Sequence, residues 1–242
     1  AAFESKDSQV PKAAIAALGH TLINIDTNDK KNFVKLIDCN GRVQFSEVAF
    51  HQLVDVFNEN SGDPSQAAGE VLLHLKHCNL VSLNLQGCSL IPSTAWQKLR
   101  GASWTNLREA HFGGCFDKDT SANGAADLLE VLRNSPLEKL DFTGCSQIPS
   151  TAWQKLRGAS WTNLREANFE SCFYKDTKGA DGAADLLEVL RNSPLEKLNF
   201  QYCSQIPCAA WQKLRGASWT NLKEADFDSC FSSDTKGADE AA

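Results

Sequence analysis

From residue 80 onward the chain repeats one short phrase: an apolar residue, two polar ones, apolar–polar–apolar, two further residues and Cys. It reads LVSLNLQGC, LREAHFGGC, LEKLDFTGC, LREANFESC, LEKLNFQYC and LKEADFDSC. Strict alternation at the centre of the phrase predicts a short strand, with Leu83 and Leu85 on one side and Asn84 on the other. Leu140 and Phe142, Ala167 and Phe169, and Leu198 and Phe200 are the equivalent inward pairs. After the Cys the period changes to that of a helix. In one kind of unit Pro92 suits the first helical position, Ala95 and Leu99 share a face, and Gly101 suits the stop. In the other kind Ala183, Leu187 and Leu190 form an i, i+4, i+7 stripe, and the helix must end before Pro194.

These units are tandem copies. CSLIPSTAWQKLRGASWTNLREA starts at Cys88 and recurs, slightly altered, from Cys145 and Cys203, at offsets of 57 and 58 residues. GAADLLEVLRNSPLEKL starts at Gly124 and again at Gly182. Each long period divides into a 27-residue unit (80–106, 137–163, 195–221) and a longer one of 30 or 31 residues (107–136, 164–194). A strand and a helix of this size cannot close a core alone. Stacked side by side, they form a parallel sheet backed by helices, and each unit hides its apolar face on the next.

The phrase LxxLxLxxC resembles the leucine-rich repeat. Two alternating unit types in a 57-residue double module resemble the ribonuclease-inhibitor-like class, and the Cys at the turn resembles the cysteine-containing subclass. This resemblance implies an α/β fold: a right-handed leucine-rich-repeat solenoid, with a curved parallel β-sheet inside, helices outside and an N-terminal capping segment. It covers 80–242 and extends to 61–79, where SQAAGEVLLHLKHCN reads as the helix of a preceding unit. The domain reading is therefore a cap over 1–60 and a solenoid over 61–242. Within the cap, VPKAAIAALG reads as a helix, TLINI as a strand and SEVAFHQLVDVFNEN as an amphipathic helix. The phrases AWQKLRGASWTNL and KGADGAADLLE also resemble tandem-repeat proteins of dinoflagellate algae. That likeness implies a chloroplast or photosystem-associated subunit.

Composition narrows the function. Hydrophobic residues make up 42% of the 242, enough for a core, and the net charge of -6 gives no general nucleic-acid footprint. No apolar run reaches the roughly 20 residues of a membrane span, so any membrane association is expected to be peripheral, through a complex. The first residues lack the pattern of a secretory signal. The absence of Met is read as a processed start or an incomplete chain, and an end inside a repeat as a truncated or disordered end. Nine Cys invite a disulfide or zinc reading. The count is odd, and no C-x-x-C pair exists for zinc. Six of them (Cys88, Cys115, Cys145, Cys172, Cys203, Cys230) recur at one place in successive units and are expected to form an inward ladder of reduced thiols. That suggests an intracellular compartment, with the chloroplast as the candidate implied by the algal likeness.

Candidate chemistry is sparse. LIDCNGRVQFSE, residues 36–47, resembles an EF-hand loop, with Asp38, Asn40 and Glu47 as weak calcium candidates. Counting back from Gly41 as the sixth position puts Leu36 first, where an acid belongs, so a degenerate metal-free turn is the competing reading. His74 and His77 lie one helical turn apart beside Cys78, too few ligands for a metal, and read as a solvated or partly buried pair. The six Trp recur once per double module and read as packing between units. No nucleophile–base pair, phosphate loop or nucleotide fingerprint is present, so no enzyme activity and no cofactor are expected.

The copies differ chiefly on the outward strand face. The mid-strand row reads Asn84, His111, Asp141, Asn168, Asn199, Asp226, and two residues later the row reads Gln86, Gly113, Thr143, Glu170, Gln201, Asp228. The next position ends in Ser171, Tyr202 and Ser229. Changed residues on an unchanged frame suit a protein-binding surface, and drift at solvated positions is the alternative. Asp141, Glu170, Asp226 and Asp228 face few central cations, which suits a basic or polar partner surface, with Tyr202 as the aromatic anchor. The expected function is a non-catalytic scaffold or structural subunit of a multi-subunit complex. A calcium-responsive regulator and an inhibitor-type binding protein are the alternatives.

Overall fold

The computed structural model describes residues 42–44, 64–117, 122–174 and 180–231. Strands and helices alternate through them without exception: β1 (Arg42–Gln44), α1 (Pro64–Lys76), β2 (Ser82–Asn84), α2 (Ser93–Trp96), β3 (Glu109–His111), α3 (Ala122–Leu132), β4 (Lys139–Asp141), α4 (Ser150–Trp153), β5 (Glu166–Asn168), α5 (Ala180–Arg191), β6 (Lys197–Asn199), α6 (Cys208–Trp211) and β7 (Glu224–Asp226). The strands form one parallel sheet in chain order, β1 to β7. A parallel neighbour needs a crossover, and each helix supplies one. The architecture is that of a repeat solenoid, an open parallel sheet with a layer of helices. The helices, strand and loop that the sequence suggests elsewhere in 1–60 lie outside the described residues, as do Asp38, Asn40 and Glu47. Arg42–Gln44, inside the segment read as an EF-hand-like loop, is the first strand of the sheet and pairs with Ser82–Asn84.

Register is fixed because the middle residue of each strand is apolar. Leu83, Ala110, Leu140, Ala167 and Leu198 align across β2 to β6 and are all buried. A one-residue slip would turn every one of them to water. Behind them, phenylalanines stack from unit to unit: ring centroids lie 5.4 Å apart for Phe112–Phe142, 6.3 Å for Phe142–Phe169 and 5.3 Å for Phe169–Phe200. Trp153 meets Phe142 and Phe169 edge-on at 5.5 and 5.8 Å. Each such pair contributes about 0.5–1.5 kcal/mol beyond its buried area.

The short units carry only four helical residues, then one 3-10 turn ending at Leu99, Leu156 or Leu214. Pro92 occupies the N-cap, with φ -71° and ψ 153°, rather than the first helical position expected of it. Its fixed φ fits the extended region equally well, so the ring directs the chain into the helix from one residue earlier. In the longer units Ala183, Leu187 and Leu190 are buried as their spacing requires.

Polar groups bind the units together at sequence separations near one unit. The thiols of Cys115, Cys145, Cys172, Cys203 and Cys230 donate to the carbonyls of Leu85, Phe112, Phe142, Phe169 and Phe200 at 2.9–3.1 Å. The indole N–H groups of Trp104, Trp161 and Trp219 donate to the last-turn carbonyls of Leu75, Leu132 and Leu190, at 3.1, 3.0 and 3.0 Å. Arg157 forks onto Asp185 through two bonds of 3.1 Å, and Arg100 onto Asp127 at 3.0 and 3.2 Å.

Candidate protein-binding face

Three residues per strand give the sheet one buried row flanked by two outward ones. The third-position row holds Asn84, His111, Asp141, Asn168, Asn199 and Asp226, all half-buried. The first-position row, which the sequence reading did not single out, holds Glu109, Lys139, Glu166, Lys197 and Glu224. From His111 and Lys139 onward the two rows line a groove of about 290 Å³ running from β3 to β7. The expected shortage of central cations is therefore corrected. Lys139 lies 3.5 Å from Glu166, and Lys197 lies 3.5 Å from Glu224. The signal was available: side chains two residues apart in a strand share a face, so Lys139 stands beside Asp141 and Lys197 beside Asn199.

Charges continue to alternate at the entry to each strand. Arg108 pairs with Glu138, Arg165 with Glu196 at 2.7 Å, and Lys223 with Glu196 at 2.6 Å. Hydrogen bonds from Lys223 and then Arg165 hold the Glu196 carboxyl below its ordinary range. These groups are exposed, so each pair is worth little in stability. Their consequence is that the entry side of the face is charge-balanced. The exit side carries Asp141, Glu170, Asp226 and Asp228 against His111.

The third-position side chains also act locally. The Oδ1 of Asn84 accepts the N–H of Gln86 at 2.9 Å, and that of Asp141 accepts Thr143 N–H at 2.8 Å. Asn168 accepts from Glu170 at 3.1 Å, Asn199 from Gln201 at 2.7 Å, and Asp226 from Asp228 at 2.9 Å. Each is an Asx turn that closes the end of a strand. Local preference therefore accounts for Asn or Asp at these places, though not for which of the two is present.

One position further on, the backbone is left-handed in every unit. Gly87, Gly114 and Gly144 have φ of 80°, 71° and 73°, while Ser171, Tyr202 and Ser229 hold 59–60° with side chains attached. Left-handed backbone costs a residue with a Cβ about 1–2 kcal/mol. Tyr202 is nonetheless 42% exposed and stands next to the Asp228 carbonyl, which its N–H contacts at 2.9 Å. Among the remaining candidates Gln86 and Asp228 are exposed and Glu170 and Gln201 half-buried, all at the strand exits.

The thiols lie on the other side of the sheet and do not reach this face. Burial pushes Cys145 and Cys203 up to about 12 and Cys230 to about 11, and raises Cys115 and Cys172 strongly. His74 is half-buried on α1 and His77 exposed just beyond it. Among the described residues no group of three His, Cys, Asp or Glu could hold a metal ion. No helix among them is long and apolar enough to cross a membrane.

No family model matches the chain, and no curated protein matches it. Among solved structures it is similar to a chain of the Rad7–Elc1 complex of yeast, with 17% identity over 86% of this chain and 78% of that one, at a TM-score of 0.28. A likeness at that score carries no argument about fold or function. The resemblance to dinoflagellate proteins, with its chloroplast and photosystem implication, finds no support in these comparisons.

Proposed function

We propose that this chain is a non-catalytic protein-binding scaffold, or a structural subunit of a larger assembly, which holds a protein partner on the open face of its sheet. The observation that carries the reading is a polar groove over β3–β7, with outward residues that change from strand to strand. Beneath it the buried residues and the hydrogen bonds between units repeat almost unchanged. A rigid frame displaying variable side chains is what repeat solenoids use to recognise proteins. The strained, exposed Tyr202 is the anchor in this reading, because interface hot spots favour aromatic residues.

The finer assignment goes with it: a right-handed leucine-rich-repeat solenoid of the ribonuclease-inhibitor-like kind, capped by 1–60. The handedness rests on the strong preference of strand–helix–strand crossovers for the right-handed turn. The free thiols suit a reducing compartment.

Two measurements test the proposal on a complex isolated from the source. Lysine footprinting should find Lys139 and Lys197 protected, while Lys98 and Lys155 on the helical side keep their reactivity. Tyr202→Ala and Asp226→Lys should each weaken the complex by about tenfold or more, the range of a hot-spot loss. Unchanged affinity in both variants would overturn the reading.

A further inference from the structure

The Asx turns fix the chemistry that the groove presents. A backbone N–H can pair only with the oxygen end of an amide. Because Asn168 and Asn199 accept through Oδ1, from Glu170 and Gln201, their NH2 ends are turned away from the backbone. Among the described residues neither NH2 group is engaged. Asp141 and Asp226 accept in the same way through Oδ1, and each keeps Oδ2 for an outside donor. From β4 to β7 the row therefore reads acceptor, donor, donor, acceptor. The fold does not demand this order, since the oxygen alone makes the turn and Asn or Asp serves equally. The adjacent row does not override it, because Lys139 and Lys197 are matched by Glu166 and Glu224.

Spacing turns that order into a specificity. Strands lie about 4.8 Å apart, so Asp141 and Asp226, three strands apart, are separated by about 14 Å, with the two amides centred about 7 Å from each. An extended polypeptide places every second side chain on one face, about 6.8 Å apart. Three such side chains span the row. We propose that the face selects an extended partner segment of the form base–x–acid–x–base. The central carboxylate sits between the NH2 groups of Asn168 and Asn199, and the flanking bases sit at Asp141 and Asp226. The proposal rests on the sheet face being the binding surface, and it names the partner chemistry of that face.

The test uses the whole chain and two labelled synthetic peptides, Gly-Ser-Lys-Val-Glu-Val-Lys-Ser-Gly and the same peptide with Lys in place of Glu. Binding is read by fluorescence anisotropy. The native protein should prefer the acid-centred peptide by about tenfold. The double variant Asn168→Asp/Asn199→Asp should reverse the preference. Its melting temperature should hold, because Asp already makes this turn at Asp141 and Asp226. Equal affinity for the two peptides, no binding of either, or an unchanged preference in the variant overturns the proposal. A third protein, Lys197→Trp, separates the two levels. Should it abolish binding of both peptides while the native protein fails to discriminate, the face reading stands and the amide inference falls. Binding untouched by Lys197→Trp removes the face reading itself.

Discussion

Replacing Gly182 by alanine probes a close backbone approach between units. Gly182 lies in the first turn of α5, and its N–H donates to the Ser150 hydroxyl of α4 at 3.0 Å. A Cβ built there would stand 2.2 Å from the Ser150 carbonyl oxygen, 2.7 Å from its Oγ and 2.8 Å from its carbonyl carbon. Backbone atoms cannot rotate aside as a flexible side chain can, so the two helices must separate by about an ångström. Overpacking of this kind costs about 1–3 kcal/mol. Losing the hydrogen bond adds about 1 kcal/mol, and the better helix propensity of alanine returns about 1 kcal/mol. The expected net loss is about 1–3 kcal/mol, or about 2–4 °C in Tm for each kcal/mol at this chain length. Gly124 is the internal control. Its Cβ would meet Ser93 at 3.0–3.1 Å, which a shift of a few tenths of an ångström relieves. There the gain and the cost should cancel to within about 1 kcal/mol. Urea unfolding followed by tryptophan fluorescence and circular dichroism gives both numbers. A Gly182→Ala protein as stable as the native one, or less affected than Gly124→Ala, would refute the argument from close approach.

Two further predictions follow from the turn and the thiol row. Tyr202→Gly relieves a left-handed residue, worth about 1–2 kcal/mol, against about 0.5–1 kcal/mol for the added flexibility of glycine when unfolded, so the variant should be slightly more stable by urea midpoint while binding its partner less tightly. The buried thiols should make the fold alkali-sensitive. Burial raises Cys145 and Cys203 to about 12 and Cys230 to about 11, above their value in the unfolded chain, so between pH 9 and 12 the folded state holds more protons. Their contribution is complete below about pH 8.5 and declines as pH rises through that window, so the urea midpoint should fall steadily from pH 8.5 to 11. A flat profile would contradict their burial.

Much of the architecture could be read one residue at a time. Alternation around Leu83, Leu140 and Leu198 named the buried row, and the recurrence of Cys115, Cys145 and Cys172 named the inward thiols. The helix of α1 was legible from SQAAGEVLLHLK. The outward row of Asn and Asp was also legible as a row. Its partner row of Glu109, Lys139, Glu166, Lys197 and Glu224 followed from the same period of two, but Glu and Lys alternate there so regularly that no position departs from the pattern.

What the sequence determined by itself is whatever depends on neighbours along the chain: period, strand and helix type, and the buried stripe. What only the tertiary structure decided are contacts across a whole unit. Lys139 finds Glu166, Cys172 finds the Phe142 carbonyl, and the Gly182 N–H reaches the Ser150 hydroxyl at 3.0 Å. The physical reason is that such contacts are set by lateral register and helix spacing, which depend on the packing of both units at once. The turns of Asn168 and Asn199 are local, each closed by a backbone N–H two residues on, but the row that their amides form with Asp141 and Asp226 is set by the lateral register of the strands.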